Sequence, residues 1–346
     1  MRSNRFYVAL LAVAVLAAGA ASLKLASTGS SMTAAAEKFV ATLSPAEKAE
    51  TVLPYDGPAR TDWHYIPKAT RKGLQVKNMS EAQRKAAFNL LDSALSSVGY
   101  KKARKVMQLE SILHELEKNR QGGAIRDAER YYFTLFGDVA GDGPWGLSVE
   151  GHHLSLNFVV ENDKVVSSTP TFYGANPGIL LADYGEGFPK GLRVLKDEEQ
   201  LAFDLLDSLD EQQRAKAIVA DKAPSDVRDA GKASPPISPA AGLPAAEMTP
   251  KQVSILRSLI EAYAHNLPDD VAQERLSRIE KDGYDAITFA WAGADRPGVG
   301  HDYRVQGESF LIEFNNTQPD SAGNPANHVH SVWHNLEGNF ALPVAE

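Results

Sequence analysis

The chain has 346 residues, of which 43% are hydrophobic and 23% are charged, and these proportions favour a globular protein over a disordered or multispanning one. Its 44 acidic residues outnumber its 36 basic residues, giving a formal net charge of −8, which disfavours a nucleic-acid-binding function because phosphate recognition needs a basic surface. The sequence contains no cysteine, which excludes disulfides, thiolate metal sites and a cysteine nucleophile.

The N-terminus has the features of a secretory signal peptide. Arg2 and Arg5 precede an apolar run at 6–18, and small residues that suit cleavage follow it. We therefore predict a signal peptide at 1–21 or, since the run 6–23 approaches the length of a spanning helix, an uncleaved N-terminal anchor. Both interpretations predict export, to the periplasm or the exterior, with no membrane span in the mature protein unless this segment is retained.

Four short motifs predict helix N-termini, two in each half of the chain. Each places a Ser, Thr or Asp three residues before a Glu or Gln, which is the spacing of a capping box. The motifs begin at Ser44, Ser80, Asp210 and Thr249. Apolar residues recur at helical spacing after the second motif of each half, and we interpret them as core.

Strand-like segments of the two halves match at a constant separation of 156 residues without a gap. The matching pairs are Phe133/Phe289, Gly137/Gly293, Val149/Val305, Gly151/Gly307, Leu156/Ile312 and Phe158/Phe314. Both segments alternate apolar and polar residues, as half-buried strands do. We predict an α+β fold, in which a duplicated helix-helix-strand-hairpin unit with pseudo-twofold symmetry builds a central antiparallel sheet or pair of sheets covered by helices.

The predicted domain organisation follows from this repeat. We place the first repeat at 35–190 and the second at 195–346, and we expect them to form one compact unit. A Pro- and Ala-rich arm at 222–247 interrupts the second repeat. Because its prolines favour extended backbone, we expect the arm to lie on the surface and to strap the two halves together.

Five of the nine histidines lie in or beside the predicted strands and are the strongest functional signal in the sequence. His328 and His330 are two residues apart, so a strand places both on one face about 7 Å apart, close enough to share a metal ion. His301 and His153 are the candidates for a third ligand. A regular strand would point His152 and His153 to opposite faces, and we favour His153 because it lies in phase with a polar row.

The chemistry open to these residues depends on whether a metal binds. Three imidazoles with an open position suit Zn²⁺, which would activate water, or Cu²⁺, which would support redox chemistry. Glu313 is on the polar face of its predicted strand and is a candidate ligand or general base. Without a metal, His153 and Glu313 could form an acid/base pair. The structural alternative is that the histidines are hydrogen-bonded and bind no ligand.

Four aromatic residues near these segments are candidate ligand-binding residues. They are Trp63, Trp145, Tyr303 and Trp333. Aromatic walls with a few polar groups suit a small organic ligand, although core packing explains each residue equally well.

Several motifs are long enough to be specific to one family. In one-letter code they are WGLSVEGHHLSLNF at 145–158, GANP at 174–177, YRVQG at 303–307, FLIEF at 310–314 and NHVHSVW at 327–333. They resemble the signatures of a mainly bacterial family, the domain-of-unknown-function family numbered thirty-five hundred. The resemblance extends from about residue 35 to about residue 340 and implies no particular activity.

We therefore predict an exported metal-dependent enzyme, a hydrolase or an oxidoreductase, acting on a small organic substrate in a His- and aromatic-lined cleft between the repeats. The alternative is a non-catalytic envelope protein that binds a metal or a small ligand. A separation of more than about 12 Å between His153 and the His328/His330 pair would reject the site. A closed or dry cluster would favour binding over catalysis.

Overall fold

The computed structural model describes residues 27–119 and 125–344, in which eight α-helices accompany one 13-stranded sheet. The predicted α+β class is confirmed. The predicted signal peptide at 1–21 lies outside the described residues. Within the described ranges, none of the helices combines the length and the apolar character that crossing a bilayer requires.

The helices divide equally between the two halves of the chain. The first half contains α1 (Thr28–Val40), α2 (Pro45–Thr51), α3 (Glu81–Ala94) and α4 (Ser97–Glu117). The second half contains α5 (Lys196–Ser208), α6 (Glu211–Ala217), α7 (Pro250–Ala264) and α8 (Asp269–Asp282). All four predicted capping boxes are present, at the N-termini of α2, α3, α6 and α7. A further helix, α1 or α5, precedes the first box of each half.

The two capping boxes of each half are joined by a buried glutamine. Gln83 Nε2 donates to Glu47 Oε2 at 2.9 Å in the first half, and Gln252 Nε2 donates to Gln213 Oε1 at 2.8 Å in the second. Each glutamine therefore caps its own helix and ties that helix to the preceding one, so local sequence motifs already set part of the tertiary packing.

Apart from β6, which has no counterpart in the second half, the strands also follow one another in the same order in both halves. The first half contains β1 (Val52–Leu53), β2 (Leu74–Gln75), β3 (Tyr132–Phe136), β4 (Trp145–Gly151), β5 (Leu154–Glu161), β6 (Lys164–Ser167) and β7 (Thr171–Ala175). The second half contains β8 (Ile218–Ala220), β9 (Leu243–Pro244), β10 (Thr288–Gly293), β11 (His301–Gln306), β12 (Phe310–Gln318) and β13 (His328–Asn335).

The sheet order is β1-β3-β4-β5-β7-β13-β12-β11-β10-β8, with β2 on β3, β6 on β5 and β9 on β10. The pairs are antiparallel except for the short pairs β1/β3 and β8/β10, which are parallel. Strands β7 and β13 pair at the centre and join the two halves into one sheet.

The register of the matched strands agrees between the halves. Phe133 pairs with Val149 in the first half, and the residues 156 positions later, Phe289 and Val305, pair with each other in the second. The predicted duplication requires this agreement. The pseudo-twofold symmetry and the domain boundaries themselves remain predictions.

The two faces of the sheet are covered differently. One face, the helix face, packs on the helices through a large apolar core that includes Phe133, Val149 and Leu156. The other, the loop face, lies under the segments 54–73 and 221–242, which connect β1 to β2 and β8 to β9. A small apolar cluster lies there, consisting of Trp63, Tyr65, Phe172, Val227, Val332 and Phe340. Polar side chains of the strands therefore face these loops.

Candidate metal centre

His152 and His153 form the tight turn between β4 and β5, in which Gly151 pairs with Leu154. They do not continue a strand, so strand alternation does not separate them, and their rings stack with centroids 3.7 Å apart. His152 therefore joins the cluster, although the sequence analysis favoured His153 alone. The sequence does contain a signal for the turn. The apolar residues that face the core lie at odd positions up to Val149 and at even positions from Leu154 onward, and a single regular strand would not change phase in this way.

The backbone around His153 is specialised for holding its ring. The φ of His153 is 62°, a left-handed conformation that residues with a β-carbon adopt rarely. Its ring lies over Gly174 of β7, where an added Cβ would approach His153 Cδ2 and the Val329 carbonyl oxygen to 2.9 Å each. The His153 N–H donates to the Tyr65 carbonyl, and its own carbonyl accepts from Gly174 N.

Strand β13 brings two more imidazoles to the same point on the loop face. His153 Nε2 lies 2.7 Å from His328 Nε2 and 3.4 Å from His330 Nε2. One ligand nitrogen from each of His152, His153 and His328 lies within 4.8 Å of the other two. Tetrahedral coordination at about 2.05 Å separates ligand nitrogens by about 3.3 Å, so only small side-chain shifts separate this cluster from a metal site.

Two carboxylates hold the outer nitrogens of the cluster. Asp226 Oδ1 lies 2.6 Å from His330 Nδ1, and Glu110 Oε1 lies 2.5 Å from His152 Nδ1. A carboxylate on Nδ1 orients the ring and leaves Nε2 to bind a metal, as at His330. At His152, Arg126 Nη1 also lies 2.9 Å from Nδ1 and 3.3 Å from Nε2, so metal binding there requires this guanidinium to move aside. Neither residue is identifiable from the sequence, because Glu110 comes from α4 and Asp226 from the arm, both remote in sequence from their partners.

The two carboxylates differ in charge. Burial alone raises the pKa of Asp226, but the hydrogen bond and charge of His330 outweigh it and the net pKa is lowered. For Glu110, burial raises the pKa to about 8 in spite of the opposing charge of Arg126. Glu110 is therefore protonated at neutral pH, and a bound cation would favour release of that proton.

The three imidazoles of His152, His153 and His328 are neutral at neutral pH. Burial, followed by the charge of Arg126, lowers the pKa of His152 well below the usual range. Burial and the neighbouring imidazoles do the same for His153. For His328, burial and then His330 lower the pKa to about 3. The neutral imidazole is the form that coordinates metals.

The cluster is enclosed. His153 is 2% exposed and His330 is 5% exposed, whereas His328 is half-buried. The ring of Tyr65 lies 4.7 Å from that of His330 and stacks on Phe172 at 3.6 Å. The small cavity that His152 lines lies on its Glu110 side and does not include the other three histidines. The burial of the rings describes an enclosed cluster and not the predicted substrate cleft.

His301 is not brought to this cluster. It lies on the helix face of β11, where its ring stacks on Trp291 with centroids 5.3 Å apart and its Nε2 lies 3.2 Å from Glu199 Oε1. The reason is strand alternation, since His301 is in phase with the buried Tyr303 and Val305.

Glu313 does lie on the loop face, but its carboxylate is engaged elsewhere. Arg228 Nε lies 2.5 Å from Glu313 Oε1, and the Arg228 backbone N–H donates to Oε2. Burial raises the pKa of Glu313, and the Arg228 charge opposes the rise. The contacts of His153 are with other histidines, so the described structure does not form the predicted His153–Glu313 pair.

The four aromatic candidates separate by face. Trp63 lies on the loop-face side of the sheet, where its Nε1 donates to the Lys232 carbonyl of the arm. Trp145, Tyr303 and Trp333 are core residues of the helix face. The predicted single aromatic wall around the histidines is therefore not formed by these three residues.

This combination of fold and site defines an α+β protein with a buried centre of converging histidines. The chain belongs to the family described as protein of unknown function (DUF3500), whose sequence pattern matches residues 26–342. This confirms the resemblance seen in the motifs. No curated protein and no solved structure is significantly similar to the chain.

Proposed function

We propose that the histidine cluster binds a late first-row transition-metal ion through His152, His153 and His328, with His330 as a fourth imidazole. The observation that carries this proposal is the convergence of the three ligand nitrogens within 4.8 Å. Two neutral imidazoles can share one N–H···N hydrogen bond, but His153 Nε2 faces both His328 Nε2 and His330 Nε2. A ring nitrogen carries either one N–H or one lone pair, so it can pair fully with only one of them, whereas a metal ion would engage all three.

The ligand chemistry favours Zn²⁺ or Cu²⁺. Neutral imidazole suits both ions, whereas Mg²⁺ and Ca²⁺ prefer carboxylate, carbonyl and water oxygens. The carboxylates of Glu110 and Asp226 lie on the outer nitrogens, where they support the ligands.

Binding is the function that the geometry supports best, because the rings of His152, His153 and His330 are at most 8% exposed and leave little access for a substrate. A second candidate is an oxidoreductase or hydrolase centre that acts on a very small molecule. The half-buried His328 favours it, since this residue is the most exposed member of the cluster and offers an open side to solvent.

We also propose that the protein is exported. The basic and apolar segment at its N-terminus supports this. Fractionation of the source cells and N-terminal sequencing of the mature protein would test it, and a cytoplasmic protein with an intact N-terminus would contradict it.

Elemental analysis of protein purified without a His tag tests the metal centre. We expect Zn or Cu at one ion per chain in the wild type and its loss from the double variant His328→Ala/His330→Ala. The matched control is His114→Ala/His265→Ala, which removes two exposed histidines and should retain the metal. Far-UV circular dichroism checks that all three proteins are folded. The proposed metal centre would be rejected if the wild type held no metal after reconstitution. It would also be rejected if the two double variants held equal amounts of metal.

Asp226→Asn gives a graded test of the same centre. Loss of an outer carboxylate is expected to weaken metal binding about 10- to 100-fold without abolishing it. Asp229→Asn, in the same arm but paired with Lys232, should leave the affinity unchanged.

A further inference from the structure

A cavity unrelated to the histidines lies on the helix face, between α8, the β6–β7 connection and the ends of β12 and β13. Its volume is about 160 Å³, close to the roughly 150 Å³ of an apolar cavity that accepts benzene. Trp333, one of the aromatic residues that the sequence suggested for ligand binding, lines it. The histidine cluster lies on the opposite face of the sheet.

Arg275 of α8 brings a cation to this cavity without a counter-charge. Its Cζ lies 4.3 Å from the centroid of the Trp333 ring, and its Nη2 donates to Ser168 Oγ at 2.7 Å. Among residues 27–119 and 125–344, no carboxylate forms an ion pair with it. Burial lowers the pKa of Arg275 to about 9, so it remains protonated at neutral pH. A desolvated cation of this kind favours an anionic ligand.

A buried hydroxyl lies in the same lining. Thr169 is 4% exposed, and its Oγ1 has no hydrogen-bond partner among the described residues. Buried polar atoms are almost always paired, with protein or with an ordered ligand or water. Thr169 follows Ser168, whose Oγ accepts from Arg275, so an unpaired hydroxyl lies in the part of the lining next to this contact. The oxygen is covered, so a ligand reaches it only when the Thr169 side chain rotates.

Two aromatic side chains form an apolar part of a mostly polar lining. Trp333 and Phe310 lie with ring centroids 5.2 Å apart and are at most 3% exposed. The exposed Glu274 and Glu337 lie at the rim and disfavour ligands with several negative charges. Arg278 at the rim is already paired with Glu337 and with an aspartate of its own helix, so Arg275 is the cation left for a ligand.

We propose that this cavity binds a small monocarboxylate with an apolar body. Arg275 and Thr169 hold the carboxylate, and Trp333 and Phe310 pack against the body. Arg275 suits this role because a guanidinium binds a carboxylate through a planar fork of N–H groups. The site is independent of the metal centre.

Isothermal titration calorimetry with benzoate tests the proposal, and the uncharged benzamide is its control. We expect saturable binding of one benzoate per chain with a Kd in about the millimolar range, and benzamide binding at least about tenfold weaker. Arg275→Met should weaken benzoate binding about tenfold or more. Arg278→Met, the matched control at the rim, should change it less than about twofold.

Three results would overturn the proposal: absence of saturable benzoate binding, equal affinity for benzamide, or equal effects of the two arginine substitutions. If Arg275→Met does not fold, Thr169→Val and Arg275→Lys decide the question. Both should weaken benzoate binding several-fold, since one removes a hydroxyl and the other the guanidinium fork, and wild-type affinity in both would overturn the proposal. The metal content of every folded variant should equal that of the wild type.

Discussion

Two hairpin turns occupy the same place in the strand order of the two halves, yet only one of them contributes to the metal centre. The β4–β5 turn carries His152 and His153, which stack and face β13. The β11–β12 turn carries Glu308 and Ser309, and Ser309 Oγ donates to Asp282 Oδ2 of α8 at 2.5 Å. The two turns follow matched glycines, but the left-handed backbone of His153 is not repeated at Ser309.

The central strands differ in a complementary way. His328 and His330 of β13 stand 156 residues after Phe172 and Gly174 of β7. Phe172 supports the wall beside the cluster, and Gly174 leaves the space that the His153 ring occupies. The centre therefore combines a turn from one half with a strand from the other, and the equivalent positions provide room and packing instead of ligands.

Replacing His153 should have the largest effect. It would test whether, of the two turns, only the β4–β5 turn contributes to the metal centre. His153→Asn keeps a residue that tolerates the left-handed backbone, so the protein should fold. We expect metal affinity to fall by more than about 100-fold, beyond the loss caused by removing an outer-sphere partner. Competition with a chromophoric chelator measures it. Glu308→Asn in the other turn is the control, and an equal loss there would contradict the comparison.

The second prediction concerns Asp302, which stands 156 residues after Gly146. Burial, reinforced by Glu313, raises its pKa to about 7, while the hydrogen bond from Asn315 and the charges of Arg304 and Arg228 oppose the rise. Because this pKa exceeds the unfolded value of about 3.9, its contribution to stability is complete below about pH 4 and is lost as the pH rises through about 7.

Asp302→Asn should remove this pH dependence, because asparagine does not ionise. The free energy of unfolding of the variant, relative to that of the wild type, should therefore increase by a few kcal/mol between about pH 5 and pH 8, because each pKa unit corresponds to about 1.4 kcal/mol. Urea denaturation at both pH values measures the change. Parallel pH dependence of the two proteins would show that Asp302 does not titrate as described.

Filling the space at Gly174 tests the contribution of β7. The new Cβ of Gly174→Ala would approach His153 Cδ2 and the Val329 backbone too closely, at 2.9 Å, so the ring must move. We expect about tenfold weaker metal binding and a loss of about 1–3 kcal/mol in stability from overpacking. Gly143→Ala meets no atom within 4 Å and should be neutral by both measurements. Unchanged affinity in Gly174→Ala would show that the glycine does not position His153.

The smallest expected effects compare the helix caps of the two halves. Ser80→Ala and Thr249→Ala each remove the capping side chain of a complete box. Each should lower the free energy of unfolding by about 1 kcal/mol, by similar amounts because both boxes connect to the preceding helix through a glutamine. Denaturant unfolding measures both, and a negligible effect of either would contradict the equivalence of the caps.

Part of the candidate site was predictable from sequence. The spacing of His328 and His330 places them on one face of β13, and that holds because strand side chains alternate strictly. The same rule, applied to His301, Tyr303 and Val305, would have placed His301 in the apolar core. The apolar phase change between Val149 and Leu154 would have identified the turn that brings His152 beside His153.

The sequence by itself determined the helix starts, the strand alternation and the family, since these depend on neighbours within a few residues or on long motifs. Only the tertiary structure decided which histidines meet and which carboxylates support them. Glu110 and Asp226 are 42 and 104 residues from their histidine partners, and no local periodicity encodes such contacts. The Asp226 contact arises because the arm crosses the loop face beside β13, and the Glu110 contact because α4 lies against the β4–β5 turn.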